Sequence, residues 1–81
     1  MQPSSIIVRA SWDDEARVWV AETSDVPGLA TEADTLEALR EKVLSMLPEL
    51  IELNGAFGGV AEILVHIFAE QVSRVKNPAV A

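Results

Sequence analysis

The stretch Ser24-Asp25-Val26-Pro27-Gly28-Leu29-Ala30-Thr31, followed after Glu32 and Ala33 by Asp34-Thr35-Leu36-Glu37-Ala38, constrains this chain more than any other. Pro27 fixes φ near the value required at the second position of a turn, and Gly28 supplies the positive φ that a type II turn needs next. Asp25 stands two residues ahead of the proline, and a short extended piece follows the glycine. Either Asp34 or Thr35 can then accept from the free N–H groups of a first helical turn, and Glu37 lies three residues beyond Asp34 to reach back. A strand, a tight reversal, a second short strand and a capped helix must therefore succeed one another in a fixed order.

The remaining periodicity fills in the architecture. From Ile6 to Trp12 the side chains alternate, with Ile6, Val8, Ala10 and Trp12 on one face and Ile7, Arg9 and Ser11 on the other. Asp13-Asp14-Glu15-Ala16 is a polar connection of hairpin length, and Arg17 to Thr23 reads as the returning strand. Leu29 to Ala33 is a third, short strand. From Leu36 the period becomes helical: Leu36, Leu39, Val43, Met46, Leu47 and Leu50 fall on one stripe, with Glu37, Glu41, Ser45, Glu49 and Glu52 opposite. Pro48 lies on the solvent side, where it predicts a bend, and one helix is expected to run to about Leu53 before the stop signal Asn54-Gly55. After Gly58-Gly59, Val60 to Val72 reads as a fourth strand, because Ile63, Val65, Ile67 and Ala69 alternate with Leu64, His66 and Phe68.

The result is an α+β domain of β-β-β-α-β pattern. A helix that joins strands three and four is a crossover, so the simplest four-stranded mixed sheet has the order 3-2-1-4, with one helix on one face. All 81 residues form a single domain, with an ordered core of about 5–75 and a tail at 76–81. A single helix covers a single face. Ile7, Trp19 and Leu64 are expected on the uncovered side, and a homodimer is the predicted way of burying them.

Charge adds a second constraint. Thirteen acids against six bases give a net charge of −7. Nine of the acids lie between Asp13 and Glu41: Asp13, Asp14, Glu15, Glu22, Asp25, Glu32, Asp34, Glu37 and Glu41. Such a surface repels phosphate backbones and attracts basic partners, although acidity alone also serves solubility. No direct contact with nucleic acid is expected. Asp13, Asp14 and Glu15 are the candidate partner-facing acids. Residues 1–12 lack the pattern of a signal peptide, and Ala56–Ala69 is too short to span a bilayer, so a cytoplasmic protein without membrane contact is expected.

Catalytic and metal chemistry find little to work with. The chain has no cysteine and one histidine, His66, so no usual transition-metal set is available. Asp13-Asp14-Glu15 lacks the ligand number and glycine of a calcium loop. There is no Gly-x-Ser-x-Gly elbow, and Gly58-Gly59 lacks the lysine of a phosphate loop. A non-enzymatic domain without cofactor or metal is the expectation.

The succession of a strand, Asp13-Asp14-Glu15, a strand carrying Trp19-Val20, then Asp25-Val26-Pro27-Gly28 and Asp34-Thr35-Leu36-Glu37-Ala38 resembles the HicB-like antitoxin superfamily. The nearest look is to its short, stand-alone bacterial members, which are grouped as a domain of unknown function. The resemblance runs from about Ile6 to Asn54. It implies a partial ribonuclease H-like fold and a domain that binds and blocks a small basic ribonuclease toxin. Ser24 stands where the family commonly has an aromatic residue, and Leu29 where cysteine is frequent. The few residues after the fourth strand leave no room for the DNA-binding segment that many members carry. Two functions follow as expectations: an antitoxin-like protein-binding domain, or a homodimeric structural or small-ligand-binding domain with no toxin partner.

Overall fold

The computed structural model describes residues 4–55 and 57–80. In chain order its elements are β1 (Ser5–Asp13), β2 (Val18–Glu22), β3 (Ala30–Ala33), α1 (Leu36–Asn54) and β4 (Leu64–Glu70). The strands form one sheet in the order β3-β2-β1-β4, as the crossover argument predicts. β1 pairs antiparallel with β2 and parallel with β4, and β2 pairs antiparallel with β3. β4 begins at Leu64, opposite Ser5 where β1 itself begins, and ends at Glu70 opposite Ser11, two residues before the end of β1.

The core lies between the sheet and α1. Ile6, Val8 and Ala10 from β1 are buried with Ala21 from β2 and Leu39, Val43 and Leu47 from the helix. Val26, Leu29 and Ala33 complete it from the segment between β2 and the helix. The helical stripe is as expected except at Leu36, which remains 39% exposed in the first turn. The helix passes through the exposed Pro48 and continues to Asn54.

Trp19 is the clearest correction to the sequence reading. Alternation within β2 leaves its two faces equivalent, and only pairing to β1 distinguishes them. The register sets Ala21 opposite Ala10 and Trp19 opposite Trp12, which turns Trp19 toward the helix side. There it packs against the core and meets Trp12 edge-on, with ring centroids 5.4 Å apart. Ile7 and Leu64 do lie on the uncovered face, 43% and 51% exposed, together with Phe68 at 58%.

The helix start distinguishes the two candidate caps. Thr35 is extended (φ −132°), and its Oγ1 accepts from the Ala38 N–H at 3.1 Å. Asp34 sits one residue outside, so Glu37 is not placed to close a reciprocal box with the capping residue. Thr35→Ala is expected to lower stability by about 1 kcal/mol, and Asp34→Ala to leave the urea midpoint nearly unchanged. At the other end Gly55 adopts the left-handed conformation (φ 63°) and its N–H turns back to Glu52 O.

The Pro-Gly reversal forms as predicted. Gly28 has φ 93°, and the Leu29 N–H reaches Val26 O at 3.3 Å. Val26 and Leu29 anchor the turn in the core, and Asn54 Nδ2 donates to Pro27 O at 3.2 Å. The reversal is thus fastened to the last turn of the helix.

Candidate functional site

The acidic hairpin between β1 and β2 is built by its own charges. Asp13 Oδ1 accepts from the backbone N–H groups of Glu15 (3.1 Å) and Ala16 (3.2 Å), while the Arg17 N–H closes the turn on Asp13 O at 2.8 Å. Arg17 takes a positive φ of 60°. Its guanidinium lies over the Trp12 ring, 5.3 Å from the centroid, and pairs with Asp14 Oδ1 at 2.8 Å. Trp12 Nε1 donates to the same oxygen at 3.2 Å. Asp13 and Asp14 therefore shape the hairpin as well as charging it, whereas Glu15 projects from its tip as an exposed side chain. The Trp12–Asp14–Arg17 clamp was missed from sequence; an Arg three residues after an Asp in a turn was the available signal.

Topology collects further carboxylates at this end. Trp19 faces Ala33 across the sheet, so β3 finishes beside the hairpin and the helix starts there with Asp34, Glu37 and Glu41. All three are exposed, as are Asp13, Asp14 and Glu15. Six of the acids named as a charged window thus share one end of the molecule. The Asp14–Arg17 contact is the one ion pair among the described residues.

Asp25 lies at the opposite end, with a structural task. β2 leaves the ladder after Glu22, and side chains take over where its backbone departs. Asp25 Oδ2 accepts from the Ile7 N–H at 2.8 Å, and Thr23 Oγ1 donates to Ile7 O at 2.6 Å. Thr23 Oγ1 also receives the Asp25 N–H at 3.1 Å. Asp25 thus ties the segment ahead of Pro27 and Gly28 to β1.

Other features give no competing centre. Ile7, Arg9, Glu22, Thr23 and Ser24 line an open depression of about 360 Å³ on the uncovered face. His66 is exposed on that face and stacks on Phe68, with centroids 6.4 Å apart. Among the described residues no group of three or more His, Cys, Asp or Glu side chains is placed to hold a metal ion, and no helix is long and apolar enough to cross a membrane. A second groove, about 340 Å³, lies between α1 and the start of β4 and is lined by Leu44, Leu47, Pro48, Ile51, Ile63 and Val65.

Comparison with known proteins gives a family without an assigned activity. Among solved structures, the chain is similar to the crystal structure of hypothetical protein TTHA1013 from the extremely thermophilic bacterium Thermus thermophilus, with 49% identity and a TM-score of 0.63. That match covers 90% of this chain and 99% of the other. No curated protein matches. The model of the domain of unknown function DUF1902 matches residues 5–77, from the first residue of β1 to beyond β4, and the chain belongs to that family.

Proposed function

We propose that this domain is a non-catalytic protein-binding module of HicB-like character, whose acidic end engages a small basic protein of the ribonuclease-toxin type. The observation that carries this reading is the convergence of the hairpin acids with the helix-start acids Asp34, Glu37 and Glu41, all exposed, at one end of the sheet. Complementary charge of this kind accelerates encounter and selects partners more than it supplies affinity. A cytoplasmic location fits such a role.

The hairpin clamp determines which substitutions test the proposal cleanly. Reversing Asp14 would break its contacts with Arg17 and Trp12, so shape and charge would change together. Glu15→Lys combined with Glu37→Lys changes the field while sparing the clamp and Thr35. This double variant is expected to slow association with any small basic ribonuclease encoded beside it by about tenfold at low salt, and physiological or higher salt is expected to erase most of the difference. Stopped-flow binding measures both. Failure of the two proteins to co-purify, with no relief of toxicity on co-expression, would refute the antitoxin-like reading.

A second reading has its own support. Ile7, Leu64 and Phe68 form an exposed apolar set on the face that the helix leaves open. This favours a domain that acts as a homodimer, with or without a toxin partner.

A further inference from the structure

The sheet has two edges, and the fold treats them differently. β3 has only four residues, and its Glu32 carbonyl accepts from Lys42 Nζ at 2.7 Å. β4 has seven, Leu-Val-His-Ile-Phe-Ala-Glu, with neither proline nor lysine to discourage a further strand. It pairs with β1 alone. The Leu64 N–H donates to Ser4 O at 3.0 Å, so the backbone of Leu64 points toward β1. Backbone direction alternates along a strand, which turns the N–H and C=O groups of Val65, Ile67 and Ala69 outward, with no strand beyond them.

Side chains on this edge are sorted as well. Val65 and Ile67 pack against the core, while Leu64, His66, Phe68 and Glu70 are exposed along the open face. On β1, Ile7 lies beside His66 and Ser11 beside Glu70, so neither titratable group meets an opposite charge there.

A second copy of the same edge supplies what each lacks. A two-fold axis perpendicular to the sheet sets two β4 strands antiparallel, with their open faces on the same side. Residues of one face must then stand opposite each other. Only registers centred on residue 66, 67 or 68 keep five or more residues of β4 paired with β4. Centring on His66 sets Glu62 against Glu70 on the extended ladder, like charge against like. Centring on Ile67 sets the Glu70 carboxylate against Leu64. Centring on Phe68 sets His66 against Glu70 twice, on either side of a Phe68–Phe68 pair. Ile67 and Ala69 then exchange both backbone hydrogen bonds, and Phe68 takes the non-hydrogen-bonded position, where side chains approach most closely. Two residues further along this ladder Leu64 comes opposite Val72, which is 79% exposed.

We propose that the chain forms a homodimer by antiparallel pairing of β4 with β4 of a second copy, in the register centred on Phe68, which joins the two sheets into one of eight strands. This deepens the dimeric reading and rests on it. Each His66 imidazole donates to the Glu70 carboxylate of the other copy, a charge-assisted hydrogen bond on each side of the axis.

The absence of cysteine makes the register directly testable in the full-length chain. Residues opposite each other at non-hydrogen-bonded positions have Cα atoms about 4.5 Å apart, within disulfide reach. Phe68→Cys is expected to give a disulfide of twice the chain mass on mild oxidation. His66→Cys and Glu70→Cys, purified separately and mixed, are expected to cross-link with each other faster than either does with itself. His66→Cys coupling fastest with itself overturns the register. Sedimentation gives an independent measure. His66→Glu sets carboxylate against carboxylate and is expected to raise the dimer dissociation constant at least about tenfold, with an unchanged circular dichroism spectrum. Adding Glu70→Lys to that variant is expected to restore the dimer, and failure of this rescue also overturns the proposal. A dimer that forms neither cross-link refutes the β4 pairing and leaves the dimeric reading standing; a monomeric unaltered chain refutes both.

Discussion

Leu39→Ala is expected to lower the unfolding free energy by about 3 kcal/mol, the largest effect of any single change considered. Leu39 is fully buried on the central stripe of α1, where Ile6, Val8 and Val43 are also inaccessible. Truncation removes the burial of three carbon atoms and leaves a space that a one-helix core has few means of filling. For a small domain this is a large share of the total stability. Urea unfolding followed by circular dichroism should show a much lower midpoint with an unaltered slope. Leu53, 75% exposed on the same helix, is the control, and Leu53→Ala should stay within about 0.5 kcal/mol of the unaltered chain. A Leu39 effect no larger than the Leu53 effect would mean that the helix packs through another face.

Gly28→Ala is expected to cost about 2 kcal/mol, more than Pro27→Ala. Gly28 holds φ 93°, where a β-carbon is strained, and a β-carbon built there lies 3.2 Å from Leu50 Cδ2. Backbone and helix side chain would both have to adjust. Pro27 only restricts the unfolded chain toward the turn, so its replacement should cost less than about 1 kcal/mol. Thermal and urea unfolding of the two variants give the order directly. The reverse order would show that the loop is held by Val26 and Leu29 rather than by its turn geometry.

Sequence and structure agree where a local rule has one solution. Pro27-Gly28 requires a turn, the alternation of Ile6 to Ala10 defines an inward face, and Leu39, Val43 and Leu47 require a helix over it. The sheet order followed because a crossover helix leaves few arrangements. Trp19 escaped because strand alternation does not say which face is inward until the register with β1 is known. The capping residue stayed undecided between Asp34 and Thr35, which have similar chemistry and differ by one residue in backbone position. The acidic end was only half visible. A charge window can be counted in sequence, but bringing Asp34, Glu37 and Glu41 beside the hairpin depends on Trp19 facing Ala33 across the sheet. The start of β4 was hidden for a related reason, since the run read as a strand from Val60 finds a partner only from Leu64, opposite Ser5 where β1 begins.

The sheet order also dictates a sequence of events as the chain is made. β1 is synthesised first, yet its parallel neighbour opposite Ser5 begins only at Leu64, after the hairpin, the reversal and the whole of α1 have emerged. Until then a nascent chain can assemble β3-β2-β1 under the helix, with one side of β1 still unpaired. That vacancy closes last, across the longest loop in the fold, and it is the step most open to intervention by a strand from another molecule.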